Sequence, residues 1–289
     1  SQAPGAFVSL TIDKRKVYVN EQVVMAFRFY CRVPLVANPE YQPPEKTGFT
    51  FEDLPPPRNF SESAHGAQYQ VTEIKTALFP TKAGTLTVPS AALKIRVEDM
   101  GDPFANDFFR QFFRGGGREY LLKTEPVTLQ VNPLPQGKPS GFSGGVGEFK
   151  LTAAADKYRI SVGEPLTVTV SVAGSGNIRS LGDPIFPPFT GFRKYDTASS
   201  LNIDQSKGAV EGSKVYKVVL VPQTSGKQTL PPIEFSYFHL GSKTFKTISV
   251  PAINVEVLPS KSTGVAISSI LISARSCMVC PRNCSGAKA

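Results

Sequence analysis

The sequence predicts an all-β protein of two tandem β-sandwiches, with one short helical insert in the first. Three observations predict this. One pattern is written twice: Asp13-Lys14, Val17, Val19-Asn20-Glu21 recurs as Asp156-Lys157, Ile160, Val162-Gly163-Glu164, 143 residues on. Apolar residues alternate with polar ones after each copy, as Val23, Met25, Phe27, Phe29 and as Leu166, Val168, Val170, Val172. Finally, 24 glycines and 25 prolines in 289 residues break the chain into short runs, which suits strands and turns.

The first copy spans residues 6–133. It opens with a strand at 7–12. Residues 23–32 form its clearest strand, with Met25, Phe27, Phe29 and Cys31 on one face. Cys31 therefore reads as a buried, inert thiol. Residues 34–66 hold seven prolines, Pro55-Pro56-Pro57 among them, and read as an irregular crossover with one short strand near 49–52. His65 ends it as a solvated loop residue. Strands follow at 69–79, 86–97 and 120–131. Leu78, Pro80, Gly84, Thr87 and Pro89 reappear as Leu220, Pro222, Gly226, Thr229 and Pro231, so the same proline–glycine corner is expected in both copies.

The insert, residues 98–119, has no counterpart in the second copy. Asp102 can cap a helix starting at Pro103. Arg110 and Arg114 suit its C-terminal end, and the glycines at 115–117 stop it. Phe104, Phe108 and Phe112 recur every four residues, as do Phe109 and Phe113. At 100° per residue the five cover about half the helix circumference. Two readings stand: all five pack on the first domain, or some are left for a partner protein or the membrane surface.

Residues 134–146 read as a hinge that joins the copies without a shared core. Pro135 and Pro139 stiffen its start, Gly144 and its neighbouring glycines loosen its end, and Phe142 is expected to dock into the interdomain contact. The second copy, 147–259, has expected strands at 149–154, 166–173, 215–221, 229–238 and 244–257. About seven short strands per copy, with turn signals between them, suit an immunoglobulin-like sandwich lacking the Cys…Trp…Cys core. Residues 260–289 read as a basic, disordered tail. Its Cys277, Cys280 and Cys284 resemble half a metal site, but no histidine completes it and no bound metal is expected. Residues 264–274 are apolar yet too few to cross a bilayer, and no run of 18 apolar residues occurs elsewhere.

Composition bounds the chemistry. The net charge of +9 is spread thinly over both copies and then concentrated in the tail, without a basic, aromatic-interleaved cluster, so nucleic-acid binding is not indicated. The two histidines, His65 and His239, lie in different copies, and neither a G-x-S-x-G nor an H-E-x-x-H motif is present. Glu21 and Glu164, at equivalent positions of separate copies, read as turn-stabilising carboxylates rather than an acid–base pair. No catalytic, cofactor or metal site is expected, which favours a binding or scaffolding module over an enzyme. The alternative class is a carbohydrate- or adhesion-type extracellular module.

The motifs also carry a resemblance. Val-Asn-Pro-Leu-Pro followed by Gly137-Lys138-Pro139, Gly141-Phe142, Gly144, Val146-Gly147 and Phe149 is similar to the BatD family of oxygen-tolerance proteins. Val19-Asn20-Glu21, the Leu78–Pro89 corner and the Phe-rich insert resemble it too. The resemblance implies tandem immunoglobulin-like domains in the periplasm, anchored to the membrane in the full-length protein, although no anchor is evident in this chain. It also implies a role in aerotolerance or envelope stress, with von Willebrand A-domain membrane proteins and a MoxR-type AAA+ ATPase as partners.

Overall fold

The computed structural model describes residues 3–98, 117–206 and 208–260. The helical insert expected at 98–119 falls almost wholly outside them, as does the tail from 261. The described chain is all-β, with one 3-10 turn at Ile178–Ser180.

In the first half, β1 (Ala6–Ile12), β3 (Val23–Cys31), β7 (Ala67–Pro80) and β5 (Phe49–Asp53) lie side by side in that order, and β6 (Arg58–Ala64) also pairs with β7. Opposite them are two three-stranded sheets. One is β10 (Arg118–Lys123), β9 (Ala92–Val97) and β4 (Glu40–Gln42); the other is β2 (Lys16–Tyr18), β11 (Val127–Asn132) and β8 (Gly84–Val88). Alternation along β3 sends Val23, Met25, Phe27 and Phe29 into a core with Leu78, Leu93, Ile95 and Leu122.

The second half repeats the plan. A six-stranded sheet runs β15 (Phe192–Asp204), β16 (Glu211–Pro222), β14 (Leu166–Gly176), β12 (Phe142–Ala155), β18 (Ile233–His239), β19 (Thr244–Val250). The facing sheet is β13 (Arg159–Ser161), β20 (Ile253–Leu258), β17 (Gly226–Leu230). The repeat is topological: β2 runs parallel to β11 as β13 does to β20, and β8 and β17 are the antiparallel neighbours.

Four long strands expected from the sequence each split in two at a proline. The 86–97 run breaks at Pro89, 120–131 at Pro126, 229–238 at Pro231-Pro232, and 244–257 at Pro251, and the two pieces enter different sheets. Proline lacks the N–H that a ladder needs, so a run with proline inside it becomes the place where the chain changes sheet. The 34–66 excursion is also more regular than expected, contributing β4, β5 and β6. His65 (φ 48°) and Gly66 (φ 75°) make the tight turn between β6 and β7, both central residues having the positive φ that such a hairpin requires.

Where the sequence reading ran the hinge to residue 146, strand β12 already begins at Phe142. It pairs in parallel with β18 (Phe142↔Ser236, Val146↔Phe238) before turning antiparallel to β14. Gly144 supplies a left-handed φ (94°), whereas Gly147 and its neighbour Gly174 on β14 serve close approach. A Cβ on Gly147 would lie 2.0 Å from the Ser175 carbonyl oxygen, and one on Gly174 would lie 1.9 Å from that of Glu148.

The halves also share core, contrary to the expectation that the hinge alone joins them. Leu54, Ala77 and Phe79 of the first half belong to the apolar cluster of Leu166, Val168, Tyr216, Val218 and Phe235. Alternation at the end of β7 is the reason: Leu78 points into its own core, while Ala77 and Phe79 on the opposite face enter the second. Phe79→Ala should therefore cost about 3–5 kcal/mol, and wild-type calorimetry should show one coupled transition. Two separated transitions, with only one moved by the substitution, would contradict a shared core.

Candidate functional site at the junction of the two halves

The repeated motif builds a turn, and in the first half that turn reaches the second half. Asp13 Oδ1 accepts the Val24 N–H (2.8 Å), as Asp156 Oδ1 accepts that of Thr167 (2.9 Å). Glu21 Oε2 accepts the Tyr18 N–H (3.0 Å) and Glu164 Oε2 that of Ser161 (3.2 Å), each carboxylate also pairing with the motif lysine, Lys14 or Lys157. The two glutamates thus act as local turn-formers.

Between valine and glutamate the backbone is left-handed in both copies, φ 65° at Asn20 and 82° at Gly163. Each N–H there donates to the corner proline carbonyl, Asn20 to Pro80 (2.8 Å) and Gly163 to Pro222 (3.1 Å). Glycine meets this φ without strain, and asparagine is among the few other residues that tolerate it. Only asparagine brings a side chain. Asn20 Nδ2 donates to the Gly144 carbonyl (2.9 Å) and to Ser180 Oγ (2.9 Å), while its Oδ1 accepts from Asn177 Nδ2 (2.7 Å). Asn177 is itself fixed, its Oδ1 accepting the Ser180 N–H at the 3-10 turn.

Three more contacts flank this clasp. Arg179 forks onto Glu52, Nε at 2.6 Å and Nη2 at 3.0 Å, and Gln205 Nε2 donates to the same carboxylate (3.0 Å). The Val210 N–H donates to Gln22 Oε1 (3.0 Å). Tyr18 meets Phe238 edge-on, with centroids 4.9 Å apart. The hydrogen bonds from Arg179 are the main reason the Glu52 carboxyl is held below its ordinary range; burial opposes them.

The residues singled out in the sequence are placed as follows. Gly144 (φ 94°) is in β12 and supplies the carbonyl for Asn20. Phe142 packs edge-on against Phe245 (5.0 Å), with Lys138 Nζ 5.9 Å from its ring centre. Phe245 in turn meets Phe238 (5.4 Å), and Phe238 is the ring that touches the first half. The Pro139 carbonyl accepts the Phe142 N–H (3.0 Å), and Pro135 is exposed on the link. Phe104, Phe108, Phe109, Phe112 and Phe113 lie outside the described residues, as do Cys277, Cys280 and Cys284. The chain leaves the described structure at Glu98, whose N–H donates to the Pro34 carbonyl (3.3 Å), and re-enters at Gly117. Among the described residues no three His, Cys, Asp or Glu side chains gather to hold a metal.

Sequence reasoning missed the clasp. Its one readable signal was the Asn20/Gly163 mismatch at a left-handed position. Glu52, Asn177 and Arg179 carry no local signal, since Glu52 and Arg179 are 127 residues apart.

Asn20→Gly should leave the turn intact, as Gly163 does, while deleting the side-chain clasp. Small-angle scattering should then show a wider spread of interdomain distances at little change in the thermal midpoint. An unchanged profile would assign no positioning role to the amide. A second expectation follows from Glu52. Its folded pKa is depressed, so its stabilisation is present above the unfolded carboxylate pKa and is lost as pH falls through the folded value. The gap between the urea midpoints of wild type and Glu52→Gln should be largest at neutral pH and narrow steadily as pH falls below the ordinary carboxylate range; a gap that does not narrow in acid would contradict this.

The family model described as BatD DUF11 like domain matches residues 10–131 and 153–257. No curated relative matches the chain. Among solved structures, the Yersinia pseudotuberculosis adhesin InvE is 16% identical over 85% of this chain and 58% of its own, with a TM-score of 0.23. The Escherichia coli adhesin FdeC is 12% identical over 88% and 64%, with a TM-score of 0.19. The collagen adhesin CNA from S. aureus is 8% identical over 86% and 91%, at 0.20. The chain thus spans less than two thirds of the first two, and likenesses of this size carry no argument about fold or function. The family match covers both halves, each with its Asp-Lys…Glu turn, and on that ground the chain belongs to the BatD family.

Proposed function

We propose that this chain is a non-enzymatic scaffold of an aerotolerance or envelope-stress system, two immunoglobulin-like sandwiches held at a set angle in the periplasm. The full-length protein is membrane-associated and works with von Willebrand A-domain proteins and a MoxR-type ATPase. The observation that carries this reading is where the ordered polar side chains are spent. Asn20, Glu52, Asn177 and Arg179 are committed to holding one half against the other. A scaffold needs that, because a fixed spacing between two partner-facing surfaces lowers the ordering cost of binding both. Family membership supports the system in which it acts.

The partner-facing element is the Phe-rich insert, with Phe104, Phe108, Phe109, Phe112 and Phe113 supplying the apolar contact. Burying one phenylalanine contributes roughly 1.5–3 kcal/mol, so two or three at a partner surface suffice for a modest affinity. Phe109→Ser with Phe113→Ser tests this. The expected outcome is an unchanged thermal midpoint and lost binding to a purified von Willebrand A domain in a surface-binding assay. A midpoint that falls by many degrees would make these residues core and overturn the assignment, and so would undiminished binding.

A further inference from the structure

Strand β15 is an open edge of the six-stranded sheet. Its one ladder is with β16, and among the described residues no strand pairs with its other side. Every second residue therefore turns a backbone N–H and C=O outward, which is a template for another strand. Proteins blunt such edges with charge, proline or a bulge. In β15 those guards stand only at the start: Arg193, Lys194 and Asp196, and an extra residue between Lys194 and Thr197 that bulges the strand. From Thr197 to Ile203 the ladder with β16 is unbroken, and the run TASSLNI holds no charge, proline or glycine. Ala198 to Asn202 are all exposed. Strand β1 is an uncharged edge too, but its residues are buried or half-buried apart from Thr11.

The charge pattern of β15 selects its own copy as the occupant. Arg193 and Lys194 stand at one end and Asp204 at the other. Antiparallel pairing with an identical strand brings each basic end beside the acidic end of the other copy, whereas parallel pairing would set like against like. A two-fold axis normal to the sheet keeps matching faces together, so the axis must pass through one residue. With Ser199 on it, Ala198 faces Ser200 of the second copy and Thr197 faces its Leu201. Counting the extra residue of the bulge, Arg193 then comes across from Asp204. These two already share a face, since their partners on β16, Val221 and Glu211, are an even number of residues apart. An axis through Ser200 would set Asp196 against Asp204, one through Leu201 would set Asp204 across from Ala198, and one through Ala198 would carry Asp204 past Arg193. Leu201 shares a face with Tyr216 and Val218 yet is 40% exposed, and the second copy's Thr197 would cover it.

We propose that β15 is a dimer interface, two copies of this chain pairing antiparallel about Ser199 so that one sheet runs through both second halves. The Arg193–Asp204 contact, made twice, fixes the register. The acidic end of β15 adjoins the junction, where Gln205 donates to Glu52 (3.0 Å), so the second copy's basic end extends a face that the two halves already share.

The test uses the full chain under reducing conditions, which keep Cys31, Cys277, Cys280 and Cys284 from linking copies. Sedimentation velocity over a concentration series should show a reversible monomer–dimer equilibrium. Arg193→Glu, an exposed change, should weaken it about tenfold, and so should Asp204→Lys. An equimolar mixture of the two variants should restore the wild-type constant, because their heterodimer again carries two opposite-charge pairs. Ser199→Cys, mildly oxidised, should link two copies through residue 199, identified by peptide mass spectrometry, since facing Cβ atoms lie about 4.5–5.5 Å apart. Asp204 also accepts the Ser206 N–H, so if its substitution unfolds the turn, Arg193→Glu and Ser199→Cys decide alone. A chain that stays monomeric throughout the series would overturn the proposal. A dimer that ignores Arg193→Glu, or that forms no link at residue 199, would overturn it too and place the contact on another surface.

Discussion

The end of strand β7 is the constraint on which the arrangement of this protein depends. Side chains on a strand alternate, so three consecutive residues cannot serve one core. Leu78 fills the first half, and Ala77 and Phe79 are left facing outward. Exposed, they would be an apolar patch; covered by the second half, they become part of its core. The next residue, Pro80, closes the strand and offers its carbonyl to Asn20. Apolar burial and the polar clasp therefore meet within four residues. The burial supplies most of the attraction, because it is non-directional and scales with area. The clasp adds direction: the amide of Asn20 is satisfied in only one placement of Gly144, Asn177 and Ser180.

The two copies use one turn for different ends. In both, a lysine and backbone N–H groups hold a glutamate, and a left-handed residue precedes it. The second copy places glycine there, which satisfies the backbone and nothing more. The first places asparagine, which satisfies the backbone and then bridges the halves. Duplication gives two equivalent surfaces, and a single side chain distinguishes them. The same economy governs the glycines of β12. Gly144 takes a left-handed φ and Gly147 lies where strands approach too closely for a Cβ, so the stretch connecting the halves is built into the second sheet from Phe142 on.

Ion pairs among the described residues serve the paired turns, as Lys14–Glu21 and Lys157–Glu164, neighbouring strands, as Arg28–Glu73 and Lys94–Glu119, and the junction, as Arg179–Glu52. The core of the second half gathers Phe149, Val168, Tyr216 and Phe235 and takes in Leu54, Ala77 and Phe79 of the first.

The sequence by itself determined the all-β class, the duplication, the family and the paired turns. These depend on local chemistry: period-two alternation, proline–glycine corners and short carboxylate-to-backbone reach. It also held Met25, Phe27 and Phe29 as core, because a shared face follows from spacing alone. It did not show that Pro89, Pro126, Pro231 and Pro251 divide long runs between sheets, since an apolar run looks the same whichever sheet receives it. Only the tertiary structure decided the junction. Ala77 and Phe79 read as ordinary strand residues until a second core is set against them, and Glu52 finds Arg179 across 127 residues of chain.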